Sequence, residues 1–258
     1  MEDKGMNNEV SITALMSSFG RAFHAENEDH PVFADHLAKE LMTAEEYVAV
    51  LGYIRGGARF FEPEINPVKQ AKKELLRRLV NVHIAPSPLC RAAYTEQVLK
   101  TAVLIGTKQY VMLGAGLDTF AFREKEFLSK HRVFEVDHPL TQKDKIERIT
   151  RAGWTIPDNL TFVSADFTKD NVAERLIDGG FDASEKRVQN TIMMAKAGGE
   201  PMQSAFSYRE IEKLLEKHGF LIYELLTPDD IQRDIIDKAG ADMKAFEHVN
   251  YCLAVRKN

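Results

Sequence analysis

Cysteine is nearly absent from this 258-residue chain: two occur, Cys90 and Cys252, far apart and without metal-ligand spacing. That excludes a disulfide framework and suits a reducing, cytoplasmic compartment. Long apolar runs are missing too. No stretch approaches the ~18 residues that a membrane helix requires, and the opening Met1–Asn8 has no apolar leader core, so no membrane partner is expected. Basic charge is also scarce, with 34 Lys and Arg against 39 Asp and Glu and a formal net charge of −5. Without a basic cluster interleaved with aromatics, a nucleic-acid surface is not expected. Gly-x-Ser-x-Gly, His-Glu-x-x-His and Walker lysine motifs are all lacking. His24, His30 and His36 are six apart and do not stack on one helix face, so no metal site is expected. What remains is an ordinary composition, 44% hydrophobic and 28% charged, with chain enough for one or two domains.

The chain is organised around Gln109–Arg123. Tyr110–Leu113 is a short apolar run of β-formers and reads as a buried strand. Gly114 and Gly116 let the backbone turn sharply without a Cβ in the way of a ligand. From Phe120 the sequence reads as a helix, so the segment forms a strand–glycine turn–helix corner. On Gly-x-Gly alone, a nucleotide corner and an ordinary βα loop both remain open. Val133–Val136 reads as a second strand ending at Asp137, Pro139–Arg151 as a helix with Leu140, Ile146 and Ile149 inward, and Leu160–Val163 as a third strand closed by Asp166 and Phe167. Alternating strands and helices imply a parallel sheet, and ligands bind at the carboxyl ends of such strands. Gly114, Asp137 and Asp166 each follow a strand at that end.

Residues 1–90 read as helical: one face through Ile12, Leu15, Met16, Phe19 and Phe23, a second helix over Val32–Met42, and a third through Tyr47–Ile54. Ala85–Pro88 reads as a breaker before a further helix that Gly106 ends. Such a region before a nucleotide-binding core is a lid, a substrate wall or an extra packing layer. After Phe167 come helical patterns at Val172–Ile177, Val188–Ala197 and Ser207–His218, the last with a Ser207/Glu210 capping box and a Gly219 cap. A strand at Phe220–Leu226, a helix from Pro228 and a strand at Val249–Val255 close the chain.

Asp137 lies 21 residues after Gly116, where an acidic residue commonly bonds ribose hydroxyls. The third glycine of a dinucleotide fingerprint would fall at Thr119, and Asp118 would set a negative charge beside phosphates. Both weigh against a nicotinamide cofactor and an NAD(P)-dependent oxidoreductase.

Leu113–Arg123 followed by Phe134-Glu-Val-Asp-His-Pro139 closely resembles the leucine carboxyl methyltransferase-like branch of class I S-adenosylmethionine-dependent methyltransferases, in its bacterial form. The likeness runs from about Ser11 to Val255 and includes Arg91 in Cys-Arg-Ala-Ala-Tyr. It implies an α/β, Rossmann-like methyltransferase sheet with helices on both faces, a helical lid over 1–90 and a core over 91–258 that form one compact unit. It implies S-adenosyl-L-methionine as cofactor, with Gly114, Ala115, Gly116 and Asp118 lining it, Asp137 on the ribose, Asp166 and Phe167 at the adenine, and Arg91 pairing its carboxylate. A guanidinium suits that last task through a bidentate pair. The implied reaction is O-methylation of a carboxylate or hydroxyl on a small molecule or peptide carboxylate. No catalytic base is assigned; Tyr53, His24 and Tyr94 are the candidates raised.

The chain departs from the family in one place. Asp182-Ala-Ser184 passes directly into Glu185–Asn190, so central strands four and five are expected to be missing. Losing both would open about 10 Å of sheet at ~4.8 Å per strand. Exposed edges would then invite association with further copies. The alternative function is a catalytically impaired cofactor-binding remnant or interaction protein.

Overall fold

The computed structural model describes residues 11–63, 72–183 and 208–256. Helix α1 (Ile12–Asn27) is capped by Ser11, whose hydroxyl accepts from the Ala14 N–H, and it buries Leu15, Phe19 and Phe23 as its periodicity predicts. The helix expected over Val32–Met42 is not there. Only a single 3-10 turn forms, His36–Lys39. Asp35 is the reason: its carboxylate accepts from the Ala38 N–H and is also bound by Arg21 and Thr119, which ties the segment to the body of the protein. Helix α2 (Ala44–Gly56) opens with a capping box between Thr43 and Glu46, and a one-turn α3 (Ala58–Phe61) follows. Then come α4 (Lys72–His83) and α5 (Pro86–Leu104). The Ala85–Pro88 breaker thus lies inside the first turn of α5, where a proline's missing N–H costs no helical bond.

The sheet comprises β1 (Gln109–Leu113), β2 (Arg132–Asp137) and β3 (Leu160–Ser164), parallel and in that order. Two single-turn helices, α6 (Phe120–Arg123) and α7 (Lys125–Leu128), join β1 to β2, so the helix after the glycine turn is shorter than the sequence suggests. Helix α8 (Pro139–Arg151) joins β2 to β3, and α9 (Val172–Asp178) follows β3. Leu140 was expected inward but is half exposed. The buried face of α8 instead carries Gln142, Lys145, Arg148 and Ile149. Those polar groups are tolerated because each is paired. Lys145 binds Glu135, and Arg148 makes a fork–fork pair with Glu46 at 2.6 Å per bond while also donating to the Leu41 carbonyl.

Helix α10 (Tyr208–Lys217) leads to β4 (Phe220–Leu226); α11 (Pro228–Ile231) continues as a π turn to Asp237, and β5 (Tyr251–Arg256) ends the described chain. Strands β4 and β5 form their own antiparallel pair. Among the described residues β1 pairs with β2 alone, so the sheet is not continuous from β1 to β4 and the C-terminal strands have not re-paired with β1. No strand lies between β3 and β4 among those residues; the helix expected at Val188–Ala197 and the Ser207 cap lie outside them. The C-terminal hairpin attaches through α5: Tyr94 donates to Glu224 at 2.6 Å, stacks on Tyr251, and Tyr251 donates to the Ser87 carbonyl.

One buried histidine makes the N-terminal packing sensitive to acid. The His24 Nε2 accepts from the Val32 N–H at 3.0 Å, and its Nδ1 faces Asn81 Oδ1 at 3.5 Å, so the proton belongs on Nδ1. Burial pushes its pKa down, against the raising influence of Asn81 and Glu28. The unfolded chain then binds more protons than the folded one as pH falls below the ordinary histidine value of about 6.5. Stability contributed by neutral His24 is therefore present above that value and lost below it. Urea denaturation of His24→Gln is expected to show a shallower loss of stability from about pH 7 to about pH 5 than wild type, and parallel curves would refute the assignment.

Candidate functional site

A cavity of about 590 Å3 opens at the carboxyl end of β1 and β2. Its floor is the glycine turn, Gly114–Asp118, together with Asp137. Gly114 and Gly116 hold φ of +68° and +52°, a region that L side chains rarely adopt. The Gly114 and Ala115 N–H groups both donate to the Val136 carbonyl, which fastens the turn to the end of β2. Asp137 completes the fastening: one carboxylate oxygen accepts from the Gly116 N–H and the other from the His138 N–H at 2.7 Å. Each oxygen keeps lone pairs free for further donors.

Helix α1 forms one wall, contributing Ser11, Thr13, Ala14, Ser17 and Arg21. It lies directly on the turn, since a Cβ on Gly116 would sit 3.3 Å from the Ala14 Cβ. Helix α5 forms the opposite wall with Arg91, Thr95 and Glu96. Arg91 is exposed, and its guanidinium has no carboxylate partner among the described residues. The remaining side runs along β1 through Tyr110–Leu113, the last strand of the sheet among the described residues.

A buried polar chain holds these walls in register, and sequence reasoning did not find it. Asp35, with no exposed surface, accepts from Arg21 at 2.6 Å and from Thr119 at 2.7 Å; Arg21 also donates to the Leu117 carbonyl at 2.7 Å. Arg123 donates to Thr119 and, at 2.6 Å, to Glu96. Burial pushes the Glu96 carboxyl up despite Arg123 beside it. Thr119, noted only as a missing glycine, is the link between the turn and the N-terminal helical region. The available signal was Arg21 itself, a charge amid the apolar residues of α1.

Of the expected residues, the fold brings Arg91, Gly114, Ala115, Gly116, Asp118 and Asp137 to one cavity. Asp118 accepts from the Phe120 N–H at the start of α6 and lies 3.8 Å from Arg21. Asp166 and Phe167 follow β3, beside β2 in the sheet, but do not line the cavity. Lys169 and Thr168 hold the Asp166 carboxyl well below its usual range. None of the three candidate bases reaches the cavity: Tyr53 is on the surface, His24 is packed against Val32 and Asn81, and Tyr94 is engaged with Glu224.

Residues 14–194 match the family model for leucine carboxyl methyltransferase. A Bacillus subtilis protein named as an S-adenosyl-L-methionine-dependent methyltransferase is 35% identical over 301 aligned positions, covering 97% of this chain and 99% of that protein. Similarly named proteins of Parafrankia sp. and Mycolicibacterium paratuberculosis are 33% and 27% identical over 68% of this chain, which spans only 50% and 53% of their lengths. Since 97% of 258 residues is about 250, about 50 of the 301 positions in the Bacillus alignment have no counterpart here.

Proposed function

The chain belongs to the leucine carboxyl methyltransferase family, and from that premise we propose that it transfers the methyl group of S-adenosyl-L-methionine to an oxygen, a carboxylate or hydroxyl, of a small molecule or a peptide carboxyl end. The observation that carries the site assignment is the convergence of the glycine turn, Asp137 and Arg91 on one cavity. The cavity's volume falls in the ordinary range for small-ligand sites, about 300–1,000 Å3. Its donor set fits the cofactor: a fixed carboxylate for vicinal hydroxyls, a guanidinium with no carboxylate partner among the described residues for a carboxylate, and glycines where a Cβ would crowd the floor.

When bound, S-adenosyl-L-methionine supplies a methyl group on a positively charged sulfur. The protein's part is to position and to exclude water. Asp137 would hold the ribose hydroxyls, Arg91 the amino-acid carboxylate, and Asp166 with Phe167 the rim nearest the base. Helix α1 closes the cavity over the turn, and the Arg21–Asp35–Thr119 chain keeps it there. A carboxylate acceptor needs no base, whereas an alcohol would need one. The same proposal puts the protein in a reducing compartment, with Cys90 and Cys252 as free thiols.

The β1 edge, which no second strand pairs with among the described residues, favours one second reading, a protein that binds cofactor without turnover. Calorimetry with S-adenosylhomocysteine and transfer of labelled methyl groups to a panel of carboxylic acids, phenols and peptides separate the two. Binding with transfer is expected, and base treatment then tells a labile ester from a stable ether. Binding without transfer supports the second reading. A folded chain that binds neither form of the cofactor overturns both.

A further inference from the structure

The outward face of α2 has no partner among the described residues. Val48 and Tyr53 are 65% and 64% exposed and Phe60 is 86% exposed. Ala49, Gly52 and Gly56 lie between them, exposed as well, and a Cβ on either glycine would meet nothing within 4 Å. Gly57, at φ −80° and ψ 1°, is a turn that ends α2, and its carbonyl accepts from Phe61 to open α3. At 3.6 residues per turn, Glu45, Ala49, Gly52 and Gly56 fall along one line of α2 with Val48 and Tyr53 on its flanks, and the exposed Arg59 and Phe60 follow on α3. Glycine is a poor residue for a helix interior, and no neighbour among the described residues uses the space these two leave.

We propose that this face is a homodimer interface, with α2 packed antiparallel against α2 of a second copy about a two-fold axis at Gly52. Charge selects that occupant. Glu45 stands seven residues before Gly52 and Arg59 seven after, and neither has an ion-pair partner among the described residues. Antiparallel pairing about Gly52 therefore sets Glu45 of each copy opposite Arg59 of the other. Parallel pairing would set like charges together. A closed two-fold contact uses the same patch on both copies, which a self-complementary face requires. The glycines at the crossing allow close approach of the two backbones, so Val48, Tyr53 and Phe60 are covered at its flanks.

Sedimentation velocity on the full chain, over a roughly hundredfold concentration range, is expected to show the mass doubling as concentration rises. Glu45→Arg or Arg59→Glu alone should abolish the dimer, and the two together should restore it. All these positions are exposed, so unchanged thermal unfolding confirms that each variant folds. In a Cys252→Ser background, Gly52→Cys should give a disulfide-linked dimer on oxidation, because residue 52 meets itself at the axis. A chain that stays monomeric throughout, or a dimer indifferent to the charge exchange, overturns the proposal.

Discussion

Asp137→Ala is expected to weaken S-adenosylhomocysteine binding by at least about 100-fold while leaving the protein folded. The size follows from the role proposed for the carboxylate. Two hydrogen bonds to a charged group are worth about 1.5–3 kcal/mol each, and tenfold in affinity is about 1.4 kcal/mol. The fold should survive because the turn has an independent anchor: the Gly114 and Ala115 N–H groups remain on the Val136 carbonyl when the Gly116 N–H loses its acceptor. A loss of about 1 kcal/mol in stability, or roughly 2–4 °C in a chain of this size, is the corresponding expectation. Asp137→Asn should fall between, since it keeps the shape but turns an NH2 toward one of two N–H donors. Isothermal calorimetry decides the matter. An affinity for Asp137→Ala within about threefold of wild type would remove Asp137 from the cofactor site and, with it, the main support for the cavity as that site.

The largest effect on stability is expected at Lys145, which does not line the cavity. Its ammonium binds Glu135 on β2 beneath α8, both side chains are almost wholly buried, and the second Glu135 oxygen has no partner. Burial pushes the Glu135 carboxyl up, and Lys145 is what offsets that cost. Lys145→Ala leaves an uncompensated buried carboxyl, for which about 3–5 kcal/mol is the usual penalty. Replacing both partners, as Glu135→Leu with Lys145→Met, should cost far less, because no charge is then stranded. The sign of the pH dependence supplies a second check. In Lys145→Ala the folded state holds a proton on Glu135 that the unfolded state has released, so the deficit should shrink from about pH 8 toward about pH 5. Chemical denaturation of the single and double variants measures both effects, and a single variant no worse than the double would show that the pair contributes nothing.

Much of the site was legible because its parts are local. Gly114 and Gly116 announce a turn needing positive φ, and Asp137 announces itself by standing at the end of an apolar run 21 residues on. A strand followed by a glycine turn carries its own geometry, so the corner could be read before any fold was known. The errors have one source as well. The segment 32–42 has helical periodicity, yet Asp35 draws its hydrogen bonds from Arg21 and Thr119, residues far away in the chain. Helix α8 looked amphipathic with Leu140 inward, yet its buried side is polar because Glu135 and Glu46 lie opposite it. Periodicity counts apolar residues and gives no weight to a buried charge whose partner comes from elsewhere.

The missing centre of the sheet divides along the same line. Sequence by itself determined that strands and helices stop alternating after β3, since no run of β-formers follows until Phe220. It also determined the glycine corner, because a tight turn's backbone is set by the residues within it. Only the tertiary structure decided that β4 and β5 pair with each other and, among the described residues, leave β1 at an edge, because strand pairing depends on which elements meet. It alone set Arg21, Asp35, Thr119, Arg123 and Glu96 into one chain of bonds, since charges distant in sequence find each other only once the backbone has brought them within about 3 Å.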